Sequence, residues 1–151
     1  MRLTLFLLVL LSVQLKAQDF WTAEELDALR DQLSTRVGGN NAAILDRIID
    51  FEGYFAAMVH REPGPGFSES HDDWADIYFV TSGSASIVTG GEIIDAREDS
   101  PGEIRGTGIR GGEVQRIGEG DVVHIPTGVP HHVLVGEGEE VTYFILKARA
   151  R

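Results

Sequence analysis

From residue 44 onward the chain is written in apolar runs no longer than six residues, separated by clusters rich in glycine, proline and aspartate. The runs are Ile44–Ile49, Tyr54–Val59, Asp76–Val80, Ala85–Val88, Val114–Ile117, Val122–Ile125, Val133–Val135 and Val141–Leu146. Segments this short fall below the length of an ordinary amphipathic helix and match the length of strands. Eighteen glycines, all beyond residue 37, supply the turns. Many short strands at this spacing predict an all-β domain of sandwich, barrel or jelly-roll type. Ile77–Val80 and Tyr143–Leu146 are apolar on both faces, so each should be buried on both sides. A single helix is available as cover, which predicts self-association, as a homodimer. The segment from Glu92 to Gly112 is rich in glycine and charge and is expected to be loose, a lid or contact loop between strand groups.

The first residues have a different grammar. Arg2 is followed by a nearly continuous apolar run from Leu3 to Leu15, then Lys16 and Ala17. A basic start, a short apolar stretch and a small residue at the cut predict a secretory signal peptide over residues 1–17. The run is shorter than a membrane span, and the chain has no cysteine for lipid attachment. The expected product is exported, periplasmic or secreted, with no membrane association after cleavage. Residues 18–43 would then form a helix and linker, and residues 44–151 the barrel. Thr22 and Glu25 make a capping box. Leu26, Leu29, Leu33 and Val37 follow at helical spacing, and Gly38–Asn41 stops the helix. Removing Arg2 and Lys16 shifts the net charge from −11 to −13. That charge argues against nucleic acid and anionic membranes as partners. A small-molecule ligand or substrate is the expected partner.

The chemistry is concentrated in two stretches. Gly120-x5-Pro126-x-Gly128-x2-His131 resembles, at every spacing, the second motif of the cupin superfamily. Upstream, Glu69-x-His71-x4-Asp76-x6-Gly83 resembles the first cupin motif, with Glu69 in place of a histidine and Asp76 in place of a glutamate. Gly64 lies one residue closer to Glu69 than that pattern asks. The resemblance spans about residues 44–147. It implies a single antiparallel jelly-roll barrel with a metal site inside, dimer formation, and a ligand set of Glu69, His71, Asp76 and His131.

Strand parity can be read beside the resemblance. Alternate residues of a strand share a face, so Glu69 and His71 can point inward together, as can Asp76 and Tyr78. If His131 points inward, His132 does not, and His124 falls on the surface. Two imidazoles with one or two carboxylates suit a divalent transition ion: Fe2+, Mn2+, Ni2+ or Zn2+. A metal-free polar network is the alternative. Glu69 is a candidate catalytic base as well as a ligand. Tyr78 is a second catalytic candidate, able to hydrogen-bond a ligand. Arg61, before Glu62-Pro63-Gly64, is a candidate clamp for a substrate carboxylate. Three functions stay open. The first is a metal-dependent enzyme acting on a small polar organic molecule, of dioxygenase, lyase or isomerase type. The second is a non-catalytic small-ligand or metal-binding module. The third is a barrel whose site has decayed and which works through oligomer contacts. Fold by itself does not choose among them.

Overall fold

The computed structural model describes residues 20–37 and 43–150. The expected signal peptide and residues 38–42 of the linker lie outside the described residues. The helix α1 (Ala23–Arg36) starts where its capping box directs: Thr22 Oγ1 accepts from Glu25 N–H at 3.1 Å, and Glu25 Oε2 accepts from Thr22 N–H at 2.8 Å. Val37, expected inside the helix, is extended and closes it by donating to the Leu33 carbonyl. Leu33 is fully buried, and Leu26 faces Met58, Phe79 and Phe144 across a shallow groove on the outside of the sheet. No described helix is long and apolar enough to cross a membrane.

Everything after residue 43 is antiparallel sheet. The strands are β1 (Ala43–Phe51), β2 (Tyr54–Arg61), β3 (Ser68–His71), β4 (Trp74–Thr89), β5 (Glu92–Ile94), β6 (Arg97–Ser100), β7 (Glu103–Gly106), β8 (Gly108–Arg110), β9 (Glu113–Gly118), β10 (Val122–Ile125), β11 (His131–Leu134) and β12 (Val141–Arg149). One half of the sheet runs β1-β2-β12-β4-β10, and the other runs β9-β4-β11-β3-β7-β6. β4 belongs to both. Residues 76–79 pair with β10, and residues 84–89 pair with β9. The sheet therefore curls on itself into a jelly-roll half-barrel around one apolar core.

The runs Asp76–Val80 and Ala85–Val88, read from sequence as two strands, are one strand bent in the middle. The bend has a local cause. The β12 register slips between Thr142 and Tyr143, and the adjacent Gly83 adopts φ +72°. A Cβ on Gly83 would lie 2.0 Å from the Glu140 carbonyl oxygen, so only glycine allows this approach. The Glu92–Gly112 segment is not loose. It forms β5 to β8, with β7 laid against β3. Its strands are only three or four residues long, too short for an apolar period to show.

Inward-facing residues alternate as parity requires. Tyr78 and Val80 are buried in the core with Tyr143 and Ile145, while Phe79 between them is 40% exposed. The helix covers only part of the outer apolar face.

Candidate metal centre

The ladder brings the expected site residues into one place. His131 pairs with Glu69 across β11 and β3. Glu69 pairs with Arg105, and His71 with Glu103, across β3 and β7. Asp76 pairs with Lys147 across β4 and β12. Directly opposed residues share a face, so these side chains converge inside the barrel. The histidines His71 and His131, with Asp76 and Tyr78, are each no more than 3% exposed.

The donor atoms are spaced evenly. His71 Nε2 lies 3.8 Å from Glu69 Oε2 and 3.6 Å from Asp76 Oδ2. His131 Nε2 lies 3.6 Å from Glu69 Oε1 and 3.5 Å from Asp76 Oδ2. Neither Nε2 has a hydrogen-bond partner among the described residues. Both Nδ1 atoms do: His71 Nδ1–H donates to Glu103 Oε2 at 2.6 Å, and His131 Nδ1–H donates to the Val129 carbonyl at 3.0 Å. Carboxylate and carbonyl oxygens accept, so the proton of each neutral ring sits on Nδ1 and the lone pair on Nε2 points into the site.

Those spacings are too long for hydrogen bonds and right for a shared ion. Two ligands about 2.1 Å from a tetrahedral ion stand about 3.4 Å apart. Buried polar atoms without partners are rare and call for a cause. The residues present therefore fit a divalent metal, and one donor atom from each of Glu69, His71 and His131 lies within 4.8 Å of the others. Asp76 is divided between two tasks. Oδ2 faces both imidazoles and lies 3.4 Å from the Tyr78 hydroxyl, while Oδ1 forms an ion pair with Lys147 Nζ at 2.8 Å.

Charge coupling inside the site is strong. Burial resists ionisation of Glu69, but His131 beside it, aided by Lys147 and His71, brings its carboxyl down to about 2. Burial likewise resists charging of His131, and Asp76 with Glu69 overcomes this and raises it to about 9 in the metal-free protein. Asp76 is lowered despite burial, through His131 and Lys147. Burial, with Tyr143, Asp76 and Glu69 nearby, pushes the Tyr78 hydroxyl well above its ordinary value, so it keeps its proton.

Arg61 also reaches this cavity. It is buried, and its Nε–H donates to the Tyr143 hydroxyl at 2.8 Å. Tyr143 stacks on Tyr78 with ring centroids 4.6 Å apart, linking Arg61 to the candidate ligands through two aromatic rings. The cavity is about 530 Å³. Phe55, Phe67, Trp74 and Ile145 make its apolar wall, and Arg61, Arg105 and Lys147 face Glu69 and Glu103 within it. His132 lies on the opposite face from His131, as parity requires, yet it is buried against Gly66 rather than exposed. His124 is exposed.

Sequence reasoning missed Glu103, Arg105, Tyr143 and Lys147. Lys147 was reachable: Tyr143, Ile145 and Lys147 share parity, so a lysine ending an apolar inward face marks a buried charge. Glu103 carried no such signal, because its strand is four residues long with a single apolar residue, Ile104.

No protein-family model matches the sequence, and no curated protein matches it. Solved structures do. A Klebsiella pneumoniae protein with a double-stranded β-helix domain is 18% identical, with a TM-score of 0.55 over 74% of this chain and 81% of that one. The fold is that of the cupins. The DMSP lyase DddQ from Ruegeria pomeroyi is 19% identical, with a TM-score of 0.53 over 75% of this chain. This chain spans about half of that lyase, 51% of its length. The polyketide cyclase RemF from Streptomyces resistomycificus is 17% identical, with a TM-score of 0.51 over 73% of this chain and 68% of that one.

Proposed function

We propose that the protein is an exported, metal-dependent cupin enzyme of the lyase or isomerase type, acting on a small carboxylate-bearing molecule. One observation carries the reading: two buried imidazole Nε2 atoms without hydrogen bonds, each 3.5–3.8 Å from two carboxylates. Glu69, His71, Asp76 and His131 would hold the ion. A divalent ion there supplies Lewis-acid polarisation of a substrate carbonyl or carboxylate. The chain's own residues bind and orient the substrate. Arg61 is the anchor. It has no carboxylate within ion-pair distance among the described residues, and its one hydrogen bond is to a neutral hydroxyl. A buried guanidinium in that state is stabilised by an incoming anion, which it can hold bidentately. Tyr78 retains its proton and is placed to donate a hydrogen bond to a substrate oxygen. The names lyase and cyclase on two similar structures favour non-redox chemistry over a dioxygenase.

Glu69 sits between two roles. In the metal-free protein its carboxyl is held well below the ordinary range by His131, so it is ionised, available as a ligand and a weak base. The same fact favours a second reading, a non-catalytic carboxylate-binding module. With Glu69 depressed, Asp76 engaged by Lys147 and Tyr78 protonated, no side chain stands free as a base. Export after cleavage near Ala17 and dimer formation through the outer face belong to the proposal. The dimer is supported by Phe79 and Val122, which pair across β4 and β10 with 40% and 60% exposure.

The test starts with elemental analysis of protein purified without a metal-binding tag. About one equivalent of a divalent ion, lost in His131→Ala, is expected. Thermal shift of the loaded protein against paired small molecules with and without a carboxylate should then select the carboxylates. Turnover of selected compounds, followed by NMR, separates enzyme from module. A protein that takes up no ion on titration sinks the enzyme reading, and one that selects no carboxylate sinks the module.

A further inference from the structure

A second cluster of ligating side chains lies on the other face of the same strand pair. His60 stands on the outer face of β2, with the parity of Met58 and opposite to Arg61. It is 1% exposed and pairs directly with Thr142 of β12. Thr142 Oγ1 lies 2.8 Å from His60 Nδ1 and can accept its proton, which leaves the lone pair on Nε2. That Nε2 is buried and has no hydrogen-bond partner among the described residues. The nearest acidic atom, Glu62 Oε1, is 3.9 Å away, beyond hydrogen-bond reach.

Glu140 completes the group. The β2–β12 ladder ends at Arg61 opposite Val141, so Glu62 and Glu140 flank the two ends of its last pair. Like charges facing each other across a ladder repel. No Lys or Arg nitrogen lies within 4.0 Å of either carboxylate among the described residues, and each of the other acidic groups in ion pairs has such a partner or the main-site histidines. Neither glutamate can easily move its backbone away. The Glu140 carbonyl accepts from Ser84 N–H at 2.9 Å and is pressed against Gly83, and Glu62 follows a strand end buried at Arg61. One donor atom from each of His60, Glu62 and Glu140 lies within 4.8 Å of the others.

We propose that His60, Glu62 and Glu140 form a second divalent-cation site of zinc type, with a structural role. One imidazole and two carboxylates suit zinc. The half-buried Glu62 and the exposed Glu140 leave room for water to complete the coordination. The ion would neutralise the two facing glutamates, engage the orphaned imidazole, and tie the end of β2 to the start of β12. Those are the strand ends that carry Arg61 and Tyr143 on their inner face. The site does not depend on the function proposed for the barrel interior.

The test uses full-length mature protein stripped by chelator and titrated with Zn2+. Bound zinc is counted by elemental analysis after gel filtration, and affinity is measured by competition with a chromophoric chelator. Five proteins are compared: wild type, Glu62→Gln with Glu140→Gln, His131→Ala, those three changes together, and His60→Ala. The glutamine pair keeps the surface shape and charge-neutral hydrogen bonding, so it is expected to fold, as circular dichroism would check. The pair should bind one zinc fewer than wild type, and the triple variant one fewer than His131→Ala. Zinc should raise the thermal midpoint of His131→Ala and leave that of the triple variant unmoved. His60→Ala should weaken the same zinc at least tenfold. Equal zinc counts with and without the glutamine pair, in both backgrounds, would overturn the second site. Loss of zinc in His131→Ala bears only on the interior site, so the two proposals fail separately.

Discussion

Replacing Glu103 tests whether His71 is a ligand through Nε2. The Glu103 carboxylate accepts from His71 Nδ1–H at 2.6 Å, from a side chain 28% exposed onto a ring 3% exposed. That contact fixes the ring plane, holds the proton on Nδ1 and raises the basicity of Nε2. Loss of such a partner costs about 10–100-fold in metal affinity, or about 1.4–2.7 kcal/mol. Because Glu103 is partly exposed, water can enter and accept the proton in its place, so Glu103→Ala should fall mid-range, at about thirtyfold. Glu103→Gln keeps an acceptor oxygen but not the charge, and should cost about tenfold or less. Affinity would be measured with Zn2+ or Mn2+ against a chelator of known strength. Stoichiometry and circular dichroism should match wild type. An affinity for Glu103→Ala within about twofold of wild type, with the fold intact, would show that His71 does not ligate through the oriented Nε2 described here.

Further outcomes follow from the same geometry. His131→Ala should lose the interior metal while His132→Ala keeps it, because adjacent strand residues face opposite ways; elemental analysis of both variants decides, and the reverse result would mean a register error of one residue. Arg61→Met should leave metal content unchanged and weaken binding of carboxylate ligands at least tenfold, read by calorimetry; equal affinity would remove Arg61 as the anchor. The metal-free protein should lose stability as pH rises. His131 goes from an ordinary 6.5 to about 9 on folding, so its contribution is fully present below 6.5 and is lost as pH climbs through 9. That is a fall of about 3 kcal/mol at most, counting its attraction to Glu69 once. Over the same window metal affinity should rise by up to about tenfold per pH unit, as the ion displaces that proton. Urea melts with and without metal check both signs, and a metal-free protein that grows more stable from pH 7 to 9 contradicts the charge arrangement.

The sequence exposed the site more completely than the fold around it. Glu69, His71, Asp76 and His131 sit at spacings fixed by strand parity and turn length, and the structure brings all of them into contact distance. The single bent strand β4 was not legible, because Ser82-Gly83 reads locally as a turn; only the close approach of the Glu140 carbonyl shows that the chain bends without stopping. The β5–β8 region was illegible for a related reason. Its strands are three or four residues long and are held by pairing, β7 with β3 and β6, and β5 with β8, and such pairing leaves no periodic trace. Arg61 reads locally as a residue before a Glu-Pro-Gly turn, and its enclosure is not legible because Tyr143, its hydrogen-bond partner, comes from the far end of the chain. The helix was legible down to its cap, and only its last residue differs.

The substitution of Glu69 for a histidine acquires a meaning from Lys147. Three imidazoles and one carboxylate, the set the cupin resemblance implies, would place one negative charge around a divalent ion. Here two carboxylates would place two. Lys147, opposite Asp76 in the ladder and 2.8 Å from Oδ1, cancels one of them. The net charge around the ion is thereby the same as in the three-histidine set, although the donor atoms are harder. Harder donors favour ions that accept oxygen over nitrogen. The retained positive balance of ion plus ligands, with Arg61 and Arg105 on the same cavity, still favours an anion in the open position. In a chain of net charge −11, that balance supports the small carboxylate proposed above as the ligand.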